Sequence, residues 1–185
     1  MLNNMLHLNF TPFPTLHTQR LILRPFRSED VHNLFRLRSD PAVTQYFQRP
    51  GEPSLADAQA RVDKISDGIA RNEMIGWVMA LKDDPALVGT IGFHKIYTDI
   101  QRAEVGYLLD PALWGKKLMS EALQAVMDYG ARIMRLRSIE AQVNPENKAS
   151  LSLLAQNGFK EESYRKEDVL FEGVLYDTVV YSIQF

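Results

Sequence analysis

Cysteine is absent from the 185 residues, which removes disulfides, thiolate nucleophiles and thiolate metal sites together. Any covalent catalysis would need another side chain, so direct transfer between two bound reactants is the simpler mechanism. Also missing is an apolar run long enough to cross a bilayer, which argues against a membrane protein. Met1 to Thr15 holds no basic cluster followed by an apolar stretch of signal-peptide length, so a cytoplasmic location is expected. Basic residues do not concentrate either. The formal net charge is -2, and only Arg132, Arg135 and Arg137 cluster, too few for a nucleic-acid-binding face. The four histidines, at 7, 17, 32 and 94, lack the paired spacing of metal ligands; they read as isolated surface or core residues, with no metal.

What is present is an ordinary globular composition, 45% hydrophobic and 24% charged, in a chain of one-domain size. We read residues 1–15 as an N-terminal extension and 16–185 as a single domain. Arg20 to Phe26 alternates as a strand ending at Pro25. A helix follows, with Ser28 as its N-cap and Val31, Leu34, Phe35 and Leu37 as its apolar stripe, until Asp40-Pro41. After the breakers Arg49 to Pro53, Ser54 with Asp57 resembles a capping box opening a helix to about Asn72. Ile75 to Leu81, Leu87 to Tyr97 and Ala103 to Leu109 read as strands whose short connections make them antiparallel neighbours. From Leu118, apolar residues at spacings of three and four define a helix through Ile133. Ser138 to Val143 reads as a strand and Asn147 to Asn157 as a helix ended by Gly158. Lys160 to Leu170 and Val174 to Gln184 read as closing strands around Glu172-Gly173. The expected fold is therefore α/β (α+β), a mixed, mostly antiparallel sheet of about seven strands with helices on both faces.

Two segments carry chemistry. Asp110 to Leu118 links a strand end to the start of the most amphipathic helix. There the first helical N–H groups have no intrahelical acceptor and the macrodipole is positive, so a pyrophosphate could bind. An ordinary strand-to-helix turn would look the same. In the second segment, Asn147 and Ser150 stand three apart near one face of a helix start. Taken alone, they read equally as a cap and a surface hydroxyl.

Four stretches in this order resemble the GNAT superfamily of N-acetyltransferases, specifically its branch of ribosomal-protein alanine N-acetyltransferases (RimJ/RimL-like). They are Thr18 to Pro25, Ala103 to Tyr107, Trp114 to Ala122, and Asn147 through Ser150 to Gly158-Phe159. The resemblance runs from Leu16 to Phe185 and implies acetyl-CoA as co-substrate. Backbone amides of Trp114, Gly115, Lys116, Lys117, Leu118, Met119 and Ser120 would hold its pyrophosphate. Tyr107, Leu108 and Leu109 would line the pantetheine arm, with Asn147 a hydrogen-bonding partner. The position seven beyond Asn147, where many members carry a Tyr, holds Leu154; the branch it resembles instead has a Ser three beyond the Asn, so the resemblance implies Ser150 near the thioester sulfur. It suggests a homodimer.

The turn departs from the family pattern, which is Arg or Gln, two residues, Gly, one residue, then Gly or Ala. Here those positions hold Trp114, Lys117 and Met119. Glycine permits close approach and unusual dihedrals, but every residue except Pro keeps its N–H. The site is expected to persist if Lys117 takes helical dihedrals, its ammonium adding a charge contact to phosphate.

The acceptor amine must lose a proton before it attacks. Glu104, in the strand bordering the cleft, is the candidate base, with an ion pair to Arg102 or another sheet neighbour as the alternative. Tyr46, Phe47 and Trp77 are candidate walls for the acceptor, although aromatics in such places are more often core. Three classes follow: a transferase for a protein N-terminus or a small amine; a CoA-binding sensor on the same fold; and an unrelated α/β domain, which would require four motifs to coincide.

Overall fold

The computed structural model describes residues 6–47, 51 and 53–185; part of the breaker cluster after Phe47 lies outside them. The elements in chain order are β1 (Leu16–His17), β2 (Leu21–Arg24), α1 (Asp30–Ser39), α2 (Pro41–Thr44), α3 (Leu55–Ala70), β3 (Ile75–Leu81), β4 (Asp84–Tyr97) and β5 (Arg102–Leu109). A 3-10 turn (Pro111–Leu113) precedes α4 (Leu118–Arg132), β6 (Ser138–Val143), α5 (Lys148–Gln156), β7 (Lys160–Phe171) and β8 (Val174–Gln184).

Among the described residues one sheet of eight strands runs in the order β1-β2-β3-β4-β5-β6-β8-β7. The strand beyond the expected seven is β1, whose two residues pair with Leu23 and Ile22 and are too short to show an alternation. The pairings are antiparallel except β5 with β6.

Alternation along β3 sorts the core into two layers. Ile75, Trp77 and Met79 enter the larger cluster with Leu118, Ala122, Leu123, Val126 and Tyr129 of α4. Val78 enters a smaller one with Val31, Leu34 and Leu37 of α1 and Ala58 and Val62 of α3. Helices therefore cover both faces. The described residues of the N-terminal extension pack on this body: Phe10 is buried in the larger cluster, and the Pro14 carbonyl accepts from Trp77 Nε1 at 2.7 Å.

Two local readings are corrected. Ser28 does not cap α1; Glu29 occupies that position without a side-chain cap. The neighbouring Asp30 carboxylate accepts from Arg27 N–H and is gripped by both Arg24 Nη atoms at 2.7 Å, burying the pair. Asp40-Pro41 ends α1 but also starts α2, because the Asp40 side chain accepts from Ala42 N–H and proline suits a first helical turn.

The sheet opens between β5 and β6. Only Arg102, Ala103 and Glu104 pair there, with Ser138, Ile139 and Glu140. Beyond them β5 continues to Leu109 paired with β4, while β6 continues to Val143 paired with β8. The two parallel strands diverge, leaving the β5 edge from Val105 onward facing a gap.

Candidate active site

Helix α4 begins beside the end of β5. Its first intrahelical bond runs from Glu121 N–H to the Lys117 carbonyl at 3.1 Å. The N–H groups of Leu118, Met119 and Ser120 thus lie in the turn where a helix has donors to spare for an anion. Leu118 and Met119 bury their side chains in the larger core cluster, so backbone is what they can present. Gly115, Lys116 and Lys117 are exposed. Ser120 differs: its hydroxyl donates to Asn157 Oδ1 at 2.9 Å, tying α4 to the end of α5. Trp114 is 49% exposed, yet its indole N–H donates to the Leu109 carbonyl at 2.9 Å.

Lys117 does not take right-handed helical dihedrals. It sits at φ 60, ψ 14, in the left-handed region, and Gly115 at φ 74. The lysine holds a backbone conformation that glycine would adopt without strain, at a cost in strain.

The turn is braced by Thr18 to Arg20, the start of the first of the four stretches. Glu121, in the first turn of α4, accepts from the Thr18 hydroxyl at 2.5 Å, Arg20 N–H at 2.7 Å and Arg20 Nε at 2.8 Å. Arg20 Nη1 also donates to the Lys116 carbonyl at 3.0 Å, which turns that carbonyl toward the guanidinium. Burial alone would raise the Glu121 pKa, but the bonds from Thr18 and Arg20 outweigh it and hold the pKa below the usual carboxylate range. At the other end of the turn Asp110 accepts from Arg36 of α1 at 2.7 Å and from Ala112 N–H at 3.0 Å. An open hollow of about 560 Å³ beside the turn is lined by Arg20, Lys82 and Lys116 with Leu113 and Leu118.

Across the gap from β5 stands α5. Asn147 is its N-cap, its Oδ1 accepting from Ser150 N–H at 3.1 Å; this use leaves the amide NH2 as the donor side of the group. Ser150 Oγ lies 2.7 Å from the Tyr107 hydroxyl. Burial pushes the Tyr107 phenol up to about 12, the bond to Ser150 acting in the opposite direction, so near neutral pH it is a protonated donor. Sequence reasoning assigned Tyr107 to the arm lining and Ser150 to the sulfur, and missed that they touch. Nothing in their spacing, 43 residues apart, could have shown it. Leu109 packs in the larger cluster and Leu108 against the smaller one.

Glu104 is in the ion pair weighed as its alternative, and its partner is the sheet neighbour Lys95, not Arg102. Its Oε2 accepts from Lys95 Nζ at 3.0 Å and Gln142 Nε2 at 3.3 Å. Arg102 instead bonds Glu140 at 3.0 Å and Glu162 at 3.4 Å. The aromatic candidates divide. Phe47 packs against the smaller cluster with the Arg38 guanidinium 5.0 Å from its ring centre, and Tyr46 is half-buried in the preceding turn. Trp77 is corrected from wall to core. It is 0% exposed, on the α4 face, edge-on to Phe13, Phe93 and Tyr129, because its strand alternation points it away from α1 and α3.

Among the described residues no group of three His, Cys, Asp or Glu could hold a metal ion, and no helix is long and apolar enough to cross a membrane.

Comparison with known proteins adds a family. The sequence profile of the acetyltransferase (GNAT) domain matches residues 20–160. The chain is 34% identical over 171 residues to the uncharacterized N-acetyltransferase YoaA of Bacillus subtilis, covering 92% of this chain and 97% of that one. It is 29% identical over 177 residues to the ribosomal protein uS5-alanine N-acetyltransferase of Escherichia coli, covering 91% and 90%. In fold it matches Mycobacterium smegmatis RimJ, solved in complex with CoA-disulfide, with a TM-score of 0.83 at 22% identity over 92% of this chain and 86% of that one.

Proposed function

Since the chain belongs to the GNAT acetyltransferase family and is an N-acetyltransferase, we propose that it moves an acetyl group from acetyl-CoA to a primary amine by direct transfer in a ternary complex. The acceptor is an α-amino group at a protein N-terminus, such as that of a ribosomal protein, or a small amine. The observation that carries this reading is the gap where β5 and β6 part, bordered by the Tyr107–Ser150 pair.

In this reading the pyrophosphate takes backbone N–H groups of the turn from Trp114 to Ser120, while the ammonium groups of Lys116 and Lys117 add charge contacts. The pantetheine runs along the unpaired edge of β5 past Tyr107, Leu108 and Leu109, like an added strand, with the Asn147 amide NH2 as a donor. Ser150, held by Tyr107, gives a hydrogen bond to the sulfur as its bond to the acyl carbon breaks. Placing amine and thioester in line supplies roughly 7–11 kcal/mol of the barrier, so a modest base and donor suffice. Glu104, paired with Lys95 and Gln142 on the other side of β5, offers negative charge to an incoming ammonium.

Support for the protein N-terminus comes from the name of the Escherichia coli relative. The alternative of a catalytically silent CoA sensor rests on the altered turn; Lys117 there adopts the left-handed conformation open to glycine, which supports a binding-competent turn. A homodimer is part of this proposal, to be measured by light scattering.

The test is acetyl-CoA with an acceptor panel: peptides beginning with Ala, Ser or Met, polyamines and aminoglycosides, followed by thiol release. Turnover of a peptide or an amine is expected. Acetyl-CoA binding without turnover across the panel favours the sensor, and failure to bind acetyl-CoA overturns both.

A further inference from the structure

Strand β4 slips by one residue between Phe93 and Lys95. Before the slip Ile91 and Phe93 point into the larger cluster; after it Ile96 does. His94 and Lys95 therefore stand side by side on the opposite face, toward α1 and α3. A β-bulge is a common way to re-aim a side chain beside a functional site. Here it lays the imidazole over Gly106, whose missing Cβ would sit 1.9 Å from His94 Nε2. A methyl group there would displace the ring, so the glycine acts as its seat. Gly106 belongs to the stretch of β5 that faces the gap, just past the last pairing with β6.

We propose that His94 is the catalytic residue that takes the proton from the acceptor amine. This rests on the acetyl-transfer reading above. Its reason is the two-sidedness of the gap. Tyr107 and Ser150 approach from the α4 face, and His94 lies over the adjacent residue from the other. A thioester at the β5 edge would then have a hydroxyl pair on one side and an imidazole on the other. Among the described residues, the charged and titratable side chains that the strands carry on this face include Lys95 and Tyr97 of β4, Arg102 and Glu104 of β5 and Glu140 of β6. Of these, Lys95 pairs with Glu104 and Arg102 with Glu140. The Glu104 oxygen that accepts from Lys95 also accepts from Gln142. A neutral imidazole keeps one ring nitrogen as a proton acceptor, which suits a base. His94 is also exposed, so it can return its proton to water.

The step balances. The amine enters as an ammonium and gives one proton to the imidazole. Its nitrogen bonds to the thioester carbonyl carbon, and the adduct collapses with the carbon–sulfur electron pair leaving on sulfur. The nitrogen's surplus proton ends on the thiolate. The products are the amide and the CoA thiol, and the imidazolium releases its proton to solvent.

The test uses the full chain with the acceptor found in the panel. His94→Ala should lower kcat about 100-fold with the acetyl-CoA dissociation constant, read by calorimetry, unchanged. Added imidazole should restore at least part of the rate, and Gly106→Ala should reproduce the defect with acetyl-CoA still bound. A His94→Ala enzyme at the wild-type rate overturns the proposal, as does a loss that imidazole leaves unrepaired. Those results leave the acetyl-transfer reading intact; a wild-type protein that acetylates nothing ends both.

Discussion

The hydroxyls of Tyr107 and Ser150 lie 2.7 Å apart and join β5 to the first turn of α5 beside the gap in the sheet. Neither residue is on α4, so in the proposed mechanism the pair can align a thioester independently of the proposed phosphate-binding turn. Removing the phenol should cost about one hydrogen bond, roughly 1 kcal/mol. Tyr107→Phe is expected to lower kcat several-fold, with the KM for acetyl-CoA nearly unchanged. Steady-state kinetics on the preferred acceptor checks this. An unchanged kcat would detach the phenol from Ser150's role.

The same phenol predicts an alkaline weakness. Its folded pKa is raised, from 10.0 to about 12, by burial. The raised value means the neutral form is favoured by folding, so its contribution is complete below pH 10 and disappears as pH climbs toward 12. Urea unfolding at stepped pH should show stability falling across that window. Tyr107→Phe should flatten that part of the fall, and an identical profile would contradict the assignment.

Arg20 acts on the turn without needing to touch a ligand. Arg20→Ala releases the Lys116 carbonyl and removes the Nε–H bond to Glu121, and should raise the KM for acetyl-CoA about tenfold. Arg20→Lys should recover little, because one ammonium lacks the fork that serves both partners. The depressed Glu121 pKa adds an acid limit: its contribution is full above 4.5 and fades as pH falls through the lower folded value. Thermal melts of Glu121→Gln and wild type should therefore converge in acid.

Lys117→Gly separates strain from charge. Relieving a left-handed lysine at φ 60 should gain about 1 kcal/mol, or roughly 2–4 °C in Tm for a chain of this size. Loss of the ammonium should meanwhile weaken CoA binding several-fold. Calorimetry and melting together give the answer, and a strongly tightened CoA complex would remove the ammonium from the site.

Much of the fold was legible in local pattern. Ile75–Leu81, Ser138–Val143 and Val174–Gln184 coincide with their strands, because alternation and flanking turn residues are properties of neighbours in the chain. The Ser54 cap of α3 was readable for the same reason. The two-residue β1 was not, since it exists only through its pairing with β2. Trp77 shows another limit: an aromatic looks the same in a sequence whether it lines a cleft or seals a core, and only the layer beneath it differs.

What the sequence by itself determined is the order of elements, the turn before α4 and the Asn147–Ser150 helix start, all encoded within a few residues. Tertiary structure alone decided that β5 and β6 separate after Glu104, that Tyr107 reaches Ser150, that Arg20 grips the Lys116 carbonyl and that a slipped register seats His94 on Gly106. The physical reason is common to all four. Strand register and contacts between residues 12 to 96 positions apart depend on how whole layers pack, and no local periodicity carries that information.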